Sequence, residues 1–247
     1  MVTKFTNTTP PKTEISYPET DGMPLPDSRE QGSFLREIAI VLAGCFLDDP
    51  TVEVDSDTFI YFIEGDPNRR VAPDLFVAFG ISKESLERNN VYLVWEVGKF
   101  PDFVLEVGSS STANNDLGPK RALYAELGSL EYWRYDPTGG EHYGEPLVGE
   151  YLLDGEYRRF EMMSDPDGNP RAHSPLLNLD LRWEEDRLHF YDPVAGVWLE
   201  NYQEITDRAR AAEAKVEAER AARESAQDRI AQLEAELRRL RGERSSG

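Results

Sequence analysis

The sequence is poor in cysteine and has no long apolar run. Cys45 is the only cysteine among the 247 residues, so an intrachain disulfide is excluded, and this composition favours a reducing compartment. No apolar stretch approaches the ~18 residues of a membrane-spanning helix. The first 33 residues lack the basic and then apolar segments of a signal peptide. We therefore expect a soluble cytoplasmic protein without a membrane-spanning segment.

Basic residues are scarce in most of the chain. The formal net charge is −20, from 47 acidic and 27 basic residues. Residues 203–247 hold ten of each, so the remaining 37 acidic and 17 basic residues of segment 1–202 carry the whole excess. Proteins that bind nucleic acids usually present a basic face, because phosphate neutralisation supplies much of their affinity. The charge argues against tight, nonspecific DNA binding, but it is compatible with a small acidic site that uses divalent cations to approach phosphate.

Several common catalytic signatures are missing. The three histidines, His142, His173 and His189, lack the spacing of metal ligands. The stretch that begins at Gly108 has no following Gly-Lys-Ser/Thr and is therefore not a phosphate-binding loop. Its serines have no histidine nearby in the sequence that could serve as a base. Histidine–metal, phosphate-loop and serine-hydrolase chemistry thus have no support.

Helical and strand-like segments alternate after a polar start. Residues 1–28 lack periodicity and are predicted to form a flexible N-terminal arm. Apolar residues then recur at helical spacing over about 31–47, and Asp-Asp-Pro at 48–50 ends that helix. Short β-rich segments follow, and beyond them the chain up to Glu200 has the pattern of antiparallel hairpins. The strands predicted before the hairpins are Val52–Val54, Phe59–Ile63, Val71–Phe79, Val91–Val97, Phe103–Val107 and Glu131–Tyr135.

A polar loop and a helix follow the strand that ends at Val107. The Ser-Ser-Ser-Thr run at 109–112 is rich in residues that cap helices. Asp116 is a second candidate N-cap, with Pro119 tolerated in the first turn. Gly128 is the predicted C-terminal stop.

An acid and a lysine on these adjacent elements form the most distinctive pattern. Strand alternation places Glu106 on the face opposite to its apolar neighbours at 103, 105 and 107. Lys120 lies three, four and seven residues before apolar positions of its own helix, which places it on the buried stripe. A lysine there must extend to solvent or meet a buried acid, and Glu106 is the natural partner. The alternatives are a solvated strand end for Glu106 and a solvent-facing Lys120.

Three further acids are candidates for the same site. Asp74 can lie beside Glu106 if their strands pair in the matching register. Asp102 precedes Glu106 by roughly 13 Å of strand, and two ligands of one Mg²⁺ each lie about 2 Å from it, so Asp102 is at most an accessory residue unless the strand bends. Glu37, beside the apolar stripe of the first helix, could also face the site. Acids on neighbouring strands with one inward lysine are typical of a metal-dependent phosphodiesterase, whereas the alternatives are a strand entry at each Pro-Asp and a boundary position for Glu37.

The segment 203–247 has a heptad pattern. Apolar positions recur at alternating steps of four and three over about five heptads, although Glu219 and Arg223 interrupt the middle. The seam consists of Ile205, Ala209, Ala212, Val216, Glu219, Arg223, Ala226, Ile230, Leu233, Leu237 and Leu240.

This pattern predicts a coiled-coil helix over residues 203–242, followed by a disordered tail at 243–247. We expect a homodimer through residues 203–241, with Ile230–Leu240 as its strongest part. The orientation of the two helices stays open, because Glu219 and Arg223 each meet their own copy only in a parallel pair. The alternative is a long, solvated single helix.

At these residues the chain resembles the Uma2 family (DUF820), a family of restriction-endonuclease-like proteins. The resemblance spans roughly residues 30–200 and implies the PD-(D/E)XK nuclease fold for a domain over residues 29–200. Many such nucleases carry the lysine two residues after the acid, where this chain has Gly108, but the family places it on the next helix, and Lys120 matches that place. The segments that carry the resemblance are V-A-P-D-L-F-V, W-E-V-G-K-F-P-D-F-V-L-E-V, S-S-S-T, D-L-G-P-K-R-A-L-Y, L-E-Y-W and D-P.

The predicted fold class is therefore α/β. We expect a restriction-endonuclease-like mixed β-sheet flanked by helices, followed by C-terminal β-hairpins and a long C-terminal coiled-coil helix.

The function expected from the residues and the resemblance together is a metal-dependent DNA endonuclease that hydrolyses phosphodiester bonds. Asp74, Glu106 and the backbone carbonyl of Val107 would hold Mg²⁺ or Mn²⁺, and Lys120 would orient the attacking water or stabilise the developing charge. DNA binding would be weak and metal-assisted. The alternative is a catalytically silent nuclease-fold scaffold that acts through coiled-coil protein interactions.

Overall fold

The computed structural model describes residues 16–19, 29–184 and 186–244. The chain divides into two compact units at Leu199 and Glu200, and each is described by itself. Most of the predicted N-terminal arm and the last three residues of the predicted tail lie outside the described residues. The helices are α1 (Arg29–Cys45), α2 (Glu84–Arg88), α3 (Val94–Val97), α4 (Ala113–Asn115), the π-turn Asp116–Lys120, α5 (Arg121–Leu127) and α6 (Tyr202–Arg244).

Fourteen strands form three sheets in the described part of the chain. They are β1 (Glu53–Asp55), β2 (Ile60–Tyr61), β3 (Arg70–Val71), β4 (Leu75–Ala78), β5 (Tyr92–Leu93), β6 (Phe103–Val107), β7 (Glu131–Tyr135), β8 (Leu147–Leu153), β9 (Glu156–Arg159), β10 (Met163–Ser164), β11 (Pro170–Ser174), β12 (Leu179–Glu184), β13 (Arg187–Asp192) and β14 (Val197–Trp198).

The central sheet is mixed. Its six strands lie in the order β1-β4-β6-β7-β8-β9, with β6 and β7 parallel and the other neighbouring pairs antiparallel. The parallel pair is joined through α4, the π-turn and α5, as a parallel connection requires a crossover. The predicted hairpin formed by β8 and β9 belongs to this sheet, whereas the later ones lie in a five-stranded antiparallel sheet, β10-β11-β12-β13-β14. Strands β3-β2-β5 form a small third sheet. The predicted α/β class, with a mixed sheet, hairpins and a long C-terminal helix, is confirmed.

Strand alternation gives the central sheet two buried faces. Phe103, Leu105 and Val107 of β6 belong to one core cluster, which also holds apolar residues of α1 and of the five-stranded sheet. Val104 belongs to a second cluster, with Tyr124 of α5 and residues of the small sheet. Glu106 has the parity of Val104 and therefore lies on the α5 side.

On the first of these faces, a large aromatic side chain packs against a glycine of the neighbouring strand. Trp133 of β7 is completely buried and stands opposite Gly149 of β8. A Cβ atom built on Gly149 would lie 2.6 Å from two ring atoms of Trp133. The strand thus needs glycine at this position so that the ring can lie flat against its backbone.

Two of the predicted strands are interrupted. The segment Val71–Phe79 is divided into β3 and β4, because Pro73 has no N–H to donate to a sheet ladder. The segment Val91–Val97 is a strand only at β5 and then turns into the short helix α3. Gly98 ends that turn with a φ of 96° and donates its N–H to the Val94 carbonyl at 2.8 Å, a conformation that glycine adopts without strain.

The helix after the Ser/Thr loop also differs from the prediction. It begins at Ala113, and Asp116 is not its N-cap but a helical residue (φ −67°, ψ −40°) in the π-turn. Pro119 lies inside this turn. Proline removes one helical hydrogen bond and crowds the preceding carbonyl, and a wider turn accommodates it. Gly128 ends α5 in the left-handed conformation, as predicted.

The second unit begins with a reciprocal cap. The Asn201 side chain accepts the Glu204 N–H, and the Glu204 carboxylate accepts the Asn201 N–H, both at 2.8 Å. This is the capping-box arrangement, and it explains why α6 starts at Tyr202. No helix among residues 29–184 and 186–244 is both long and apolar enough to cross a membrane.

One short part of the predicted arm contacts the first unit. Tyr17 lies between the rings of Tyr61 and Trp95, with ring centroids 5.1 and 5.2 Å away. The Tyr61 hydroxyl donates to the Pro18 carbonyl at 2.6 Å. Residues 16–19 are therefore attached to the small sheet.

Replacing Gly149 with alanine should destabilise the first unit by about 1–3 kcal/mol, because the new methyl group overpacks against Trp133. Gly44 is the matched control, since it lies in α1 with no atom within 4 Å of a built Cβ. Gly44→Ala should stabilise the protein by about 0.5–1 kcal/mol, since alanine is the better helix former. Urea unfolding measures both changes, and equal effects of the two variants would contradict the packing argument.

Candidate active site

The candidate site lies at the C-terminal end of β6, where β4 and β7 flank it and the π-turn and α5 cover it. Glu106 is the penultimate residue of β6 and is completely buried. Its backbone pairs with Arg134 of β7, and its neighbour Leu105 pairs with Leu75 of β4, so its carboxylate is presented from a rigid element.

Two side chains of the covering helical segment, which comprises the π-turn and α5, contact the Glu106 carboxylate. The Lys120 ammonium donates to Oε2 at 2.8 Å. The Tyr124 hydroxyl donates to Oε1 at 2.6 Å. These residues are separated by four positions, so both project from one helical face, and together they fix the plane of the carboxylate. The ion pair expected between Lys120 and Glu106 is present.

Asp74 is the residue before β4, the other neighbouring strand, and lies across from Glu106. The antiparallel register sets Leu75 opposite Leu105, so Asp74, one residue earlier, is level with Glu106, one residue later. The Asp74 carboxylate accepts the Val107 N–H at 2.6 Å. The side chain thus extends the ladder beyond the end of β4 and is held beside the two residues that were predicted to share a metal with it.

A third acid, which the sequence analysis treated as a helix cap, completes the cluster. Asp116 is completely buried, and its Oδ1 lies 3.2 Å from the Lys120 Nζ. Its Oδ2 accepts the Tyr143 hydroxyl at 2.8 Å. The available signal was the four-residue spacing between Asp116 and Lys120, which puts both on one helical face. Tyr143 gave no signal, because its contact with Asp116 spans 27 residues.

The cluster is electrostatically unbalanced. Asp74, Glu106 and Asp116 supply three carboxylates, whereas Lys120 supplies one ammonium. Burial raises the pKa of the Glu106 carboxyl above its ordinary value; the Lys120 ammonium opposes this shift and Asp116 adds to it. Burial alone would lower the pKa of Lys120, but Glu106, Asp116 and Asp74 raise it above its ordinary value. Lys120 is therefore charged at neutral pH.

Asp102 and Glu37 were predicted as possible accessory acids. Asp102 precedes the opposite end of β6; its carboxylate pairs with Lys99 at 2.6 Å and accepts the Phe79 N–H at 2.8 Å. Asp102 therefore links the start of β6 to the segment that follows β4. Glu37 lies on α1 and is half-buried.

The donor atoms at the site are compatible with a hard divalent cation. Asp74 and Glu106 supply carboxylate oxygens, the ligands that Mg²⁺ and Mn²⁺ prefer, and the excess of negative charge favours a cation. The buried Asp116 Oδ1 accepts no hydrogen bond. Among the described residues, no three acidic, histidine or cysteine side chains are arranged to hold a metal by themselves. A bound ion would therefore rely on the two carboxylates together with backbone oxygen or water.

Replacing Lys120 with methionine should destabilise the protein by about 3–5 kcal/mol, because it leaves buried carboxylates without their counter-charge. The variant's Glu106 pKa should rise further, and a raised pKa favours the folded state at low pH, where the group is protonated, and loses that contribution as pH increases. Urea unfolding should therefore show a smaller deficit at about pH 5 than at about pH 8.

The matched control is Lys83→Met, whose lysine pairs with Glu53 at the surface. Its loss should cost about 0–1 kcal/mol. Equal, small losses for the two variants would show that the Lys120 pairs do not support the fold.

Comparison with known proteins is consistent with the geometry. The sequence matches the profile of the Uma2 family, described as "Putative restriction endonuclease", over residues 5–186. A solved structure from Anabaena variabilis, described as a "putative nuclease belonging to DUF820", is similar at 16% identity and a TM-score of 0.42, over 62% of this chain and 76% of that chain. No curated protein matches the sequence. Because the profile spans well over half of the residues, the chain belongs to the Uma2 family.

Proposed function

We propose that the protein is a DNA endonuclease of the PD-(D/E)XK type that hydrolyses phosphodiester bonds with Mg²⁺ or Mn²⁺. The observation that carries the proposal is the buried Lys120 ammonium, which lies 2.8 Å from Glu106 on a strand end beside Asp74. A lysine and several acids would not be buried together for packing alone, because their desolvation is costly. The family description as a restriction endonuclease supports the same activity.

Asp74 and Glu106 would hold the metal, with the backbone carbonyl of Val107 as a further ligand. When bound, the ion would polarise the scissile phosphate and lower the pKa of a water molecule. The Val107 N–H already fixes Asp74 at 2.6 Å, so this ligand does not have to reorganise when a cation arrives.

Lys120 and Tyr124 have different tasks in this proposal. Lys120 retains its proton and donates hydrogen bonds, so it would orient the attacking water or stabilise negative charge that develops on the phosphate. The Tyr124 hydroxyl keeps one Glu106 oxygen oriented at 2.6 Å. The buried, preorganised setting makes each interaction stronger than it would be in water.

DNA is the proposed substrate, and its binding would be weak and metal-assisted. Residues 1–202 carry 37 acids against 17 bases, so few contacts can neutralise phosphates and the salt dependence of binding would be shallow. Divalent cations at the acidic cluster would reduce the repulsion that an incoming phosphate meets.

The second unit would supply a homodimer through residues 203–241. Described seam residues of α6 expose large apolar side chains, including Val216 (66% exposed), Ile230 (56%) and Leu233 (44%). A second helix would bury these side chains in a coiled coil. Two sites in one assembly would serve a double-strand break, which needs two cuts.

A catalytically silent scaffold is the second candidate. The net charge of −20 favours it, since a polyanion binds poorly to such a chain. In that case the domain would only support α6, which would recruit a protein partner through its apolar seam.

Purified protein should nick or linearise plasmid DNA when Mg²⁺ or Mn²⁺ is present, and chelation should abolish the reaction. Lys120→Ala should lower the rate about 100-fold or more, because the donor to the reacting phosphate or water is removed. Lys83→Ala is the matched control, since Lys83 pairs with an acid at the surface, and it should leave the rate unchanged. Equal nicking by wild type and Lys120→Ala would remove the enzymatic proposal.

Calorimetric titration with Mn²⁺ distinguishes the two candidate functions. The nuclease should bind the ion at millimolar concentrations or below, and Glu106→Ala should lose this binding. A scaffold without a metal site should give no heat at millimolar Mn²⁺ and no cleavage of single-stranded, duplex or branched DNA.

The full chain should sediment as a dimer at tens of micromolar, and a chain ending at Tyr202 should sediment as a monomer. The double variant Ile230→Asp/Leu233→Asp should also be monomeric, because it places charge in the seam. The control Gln227→Asp/Gln232→Asp adds the same charge off the seam and should remain dimeric. If full-length wild type is monomeric under these conditions, α6 is a solvated helix.

A further inference from the structure

A side chain at the position two residues after Glu106 would crowd its neighbours in this fold. A Cβ atom on Gly108 would lie 3.0 Å from the Cε2 atom of Tyr143 and 3.4 Å from the Cγ atom of Asp136. The Tyr143 ring therefore occupies the space beside the strand into which a residue at 108 would project. A lysine at position 108, directly after β6, could enter the cluster only if the Tyr143 ring shifted.

The Tyr143 ring is held there by a tight loop after β7. The Asp136 carboxylate accepts the backbone N–H groups of His142 at 2.7 Å and Tyr143 at 2.9 Å. Its other oxygen accepts the Thr138 N–H at 2.9 Å and the Thr138 hydroxyl at 2.6 Å. This one carboxylate thus closes the loop and returns the chain to β6.

The Tyr143 hydroxyl connects this loop to the buried lysine. It donates to the Asp116 Oδ2 at 2.8 Å, which leaves Oδ1 to face the Lys120 Nζ at 3.2 Å. Tyr143 and Asp116 are both buried, at 8% and 0% exposure. Asp116 Oδ1 accepts no hydrogen bond, and it forms an ion pair with the ammonium.

We propose that Tyr143 and Asp116 are positioning residues that hold the Lys120 ammonium against Glu106. Tyr143 fixes the rotamer of Asp116, and Asp116 attracts the ammonium as its second carboxylate partner. The pair thereby allows a lysine on the covering helix to act where Gly108 leaves the strand empty. The inference rests on the proposed nuclease function for its catalytic meaning, but the positioning itself can be tested separately.

The need for such positioning follows from the lysine side chain. Its flexible stem loses much rotamer freedom when the ammonium is fixed, and a single carboxylate does not define one geometry. Lys83 illustrates a lysine with one carboxylate partner, Glu53, at 2.9 Å, and its side chain is 37% exposed, against 15% for Lys120. Two anchors on different elements therefore distinguish Lys120 from an ordinary surface pair.

The first test measures the accessibility of the lysine without using activity. Reductive methylation with formaldehyde and a borane reductant, followed by peptide mass spectrometry, gives a rate for each lysine. Lys120 should react slowly in wild type and at least about tenfold faster in Asp116→Asn and Tyr143→Phe, since a charge-assisted contact worth roughly a factor of ten or more is weakened. Glu53→Gln is the control, and it should accelerate Lys83 alone.

The second test measures cleavage. Asp116→Asn should lower kcat about 10-fold or more with KM for DNA unchanged, and Tyr143→Phe should have a smaller effect in the same direction. In a Lys120→Ala background neither substitution should lower the residual rate further, because residues that act through one group are not additive. Rescue should be specific, so that Asp116→Glu retains more activity than Asp116→Asn.

The outcomes separate the two proposals. If wild type does not cleave DNA but Lys120 becomes reactive in both variants, the positioning role of Tyr143 and Asp116 is supported and the proposed nuclease function is wrong. If Lys120 stays protected in Tyr143→Phe, or if Asp116→Asn still lowers the cleavage rate in the Lys120→Ala background, the proposed positioning role is wrong. Should Asp116→Asn fail to fold, as judged by circular dichroism, Tyr143→Phe decides, because it removes only one hydroxyl.

Discussion

The structure around the candidate site depends on one buried charge, the ammonium of Lys120. An isolated ammonium in a protein interior costs several kcal/mol, so carboxylates must lie within a few ångströms of it. Glu106 at 2.8 Å and Asp116 at 3.2 Å meet this condition, the first from a strand end and the second from the π-turn. The chain can satisfy both only if the π-turn lies directly over the end of β6. The wider turn around Pro119 therefore has a role in the site, in keeping with the frequent occurrence of π-turns at functional positions.

The second constraint is the alternation of β6 between two cores. Its odd-numbered residues pack towards α1 and the five-stranded sheet, and Val104 packs towards α5. The strand is buried on both faces, so a carboxylate in its middle could not reach solvent. Glu106 lies near the end of the strand, where a carboxylate is held rigidly and is also close to the end of the sheet. The same geometry brings Asp74, the residue before β4, level with it. These two acids are thus aligned by the register of β4 and β6, which the apolar residues of both strands support.

Periodicity was enough to predict the parts of this arrangement that depend on one element or on neighbouring elements. Strand alternation placed Glu106, and the helical stripe placed Lys120. Two features escaped for physical reasons. Asp116 has the residue type of an N-cap, and the one signal for its inward position was its four-residue spacing from Lys120. Tyr143 reaches the cluster through a loop whose closure by Asp136 is a tertiary contact, and no spacing in the sequence predicts such a contact. The predicted strands around Pro73 and Gly98 were too long for local reasons. Proline lacks an N–H donor for the sheet, and Gly98 ends a turn in the left-handed conformation.

The distribution of charge limits how such a site could meet a polyanion. Segment 1–202 carries the whole net charge of −20, whereas segment 203–247 is balanced. The domain that holds the acidic cluster therefore repels phosphate at a distance and attracts cations. A bound cation would assist a phosphate only at the cluster, where three carboxylates meet one ammonium. Screening by salt weakens the long-range repulsion, but it acts less on the buried cluster. A substrate would then be selected at short range by cations and donors at the cluster. Association of two copies through the helix would raise the effective concentration of the second site, and the balanced charge of segment 203–247 would add no net repulsion between the paired helices.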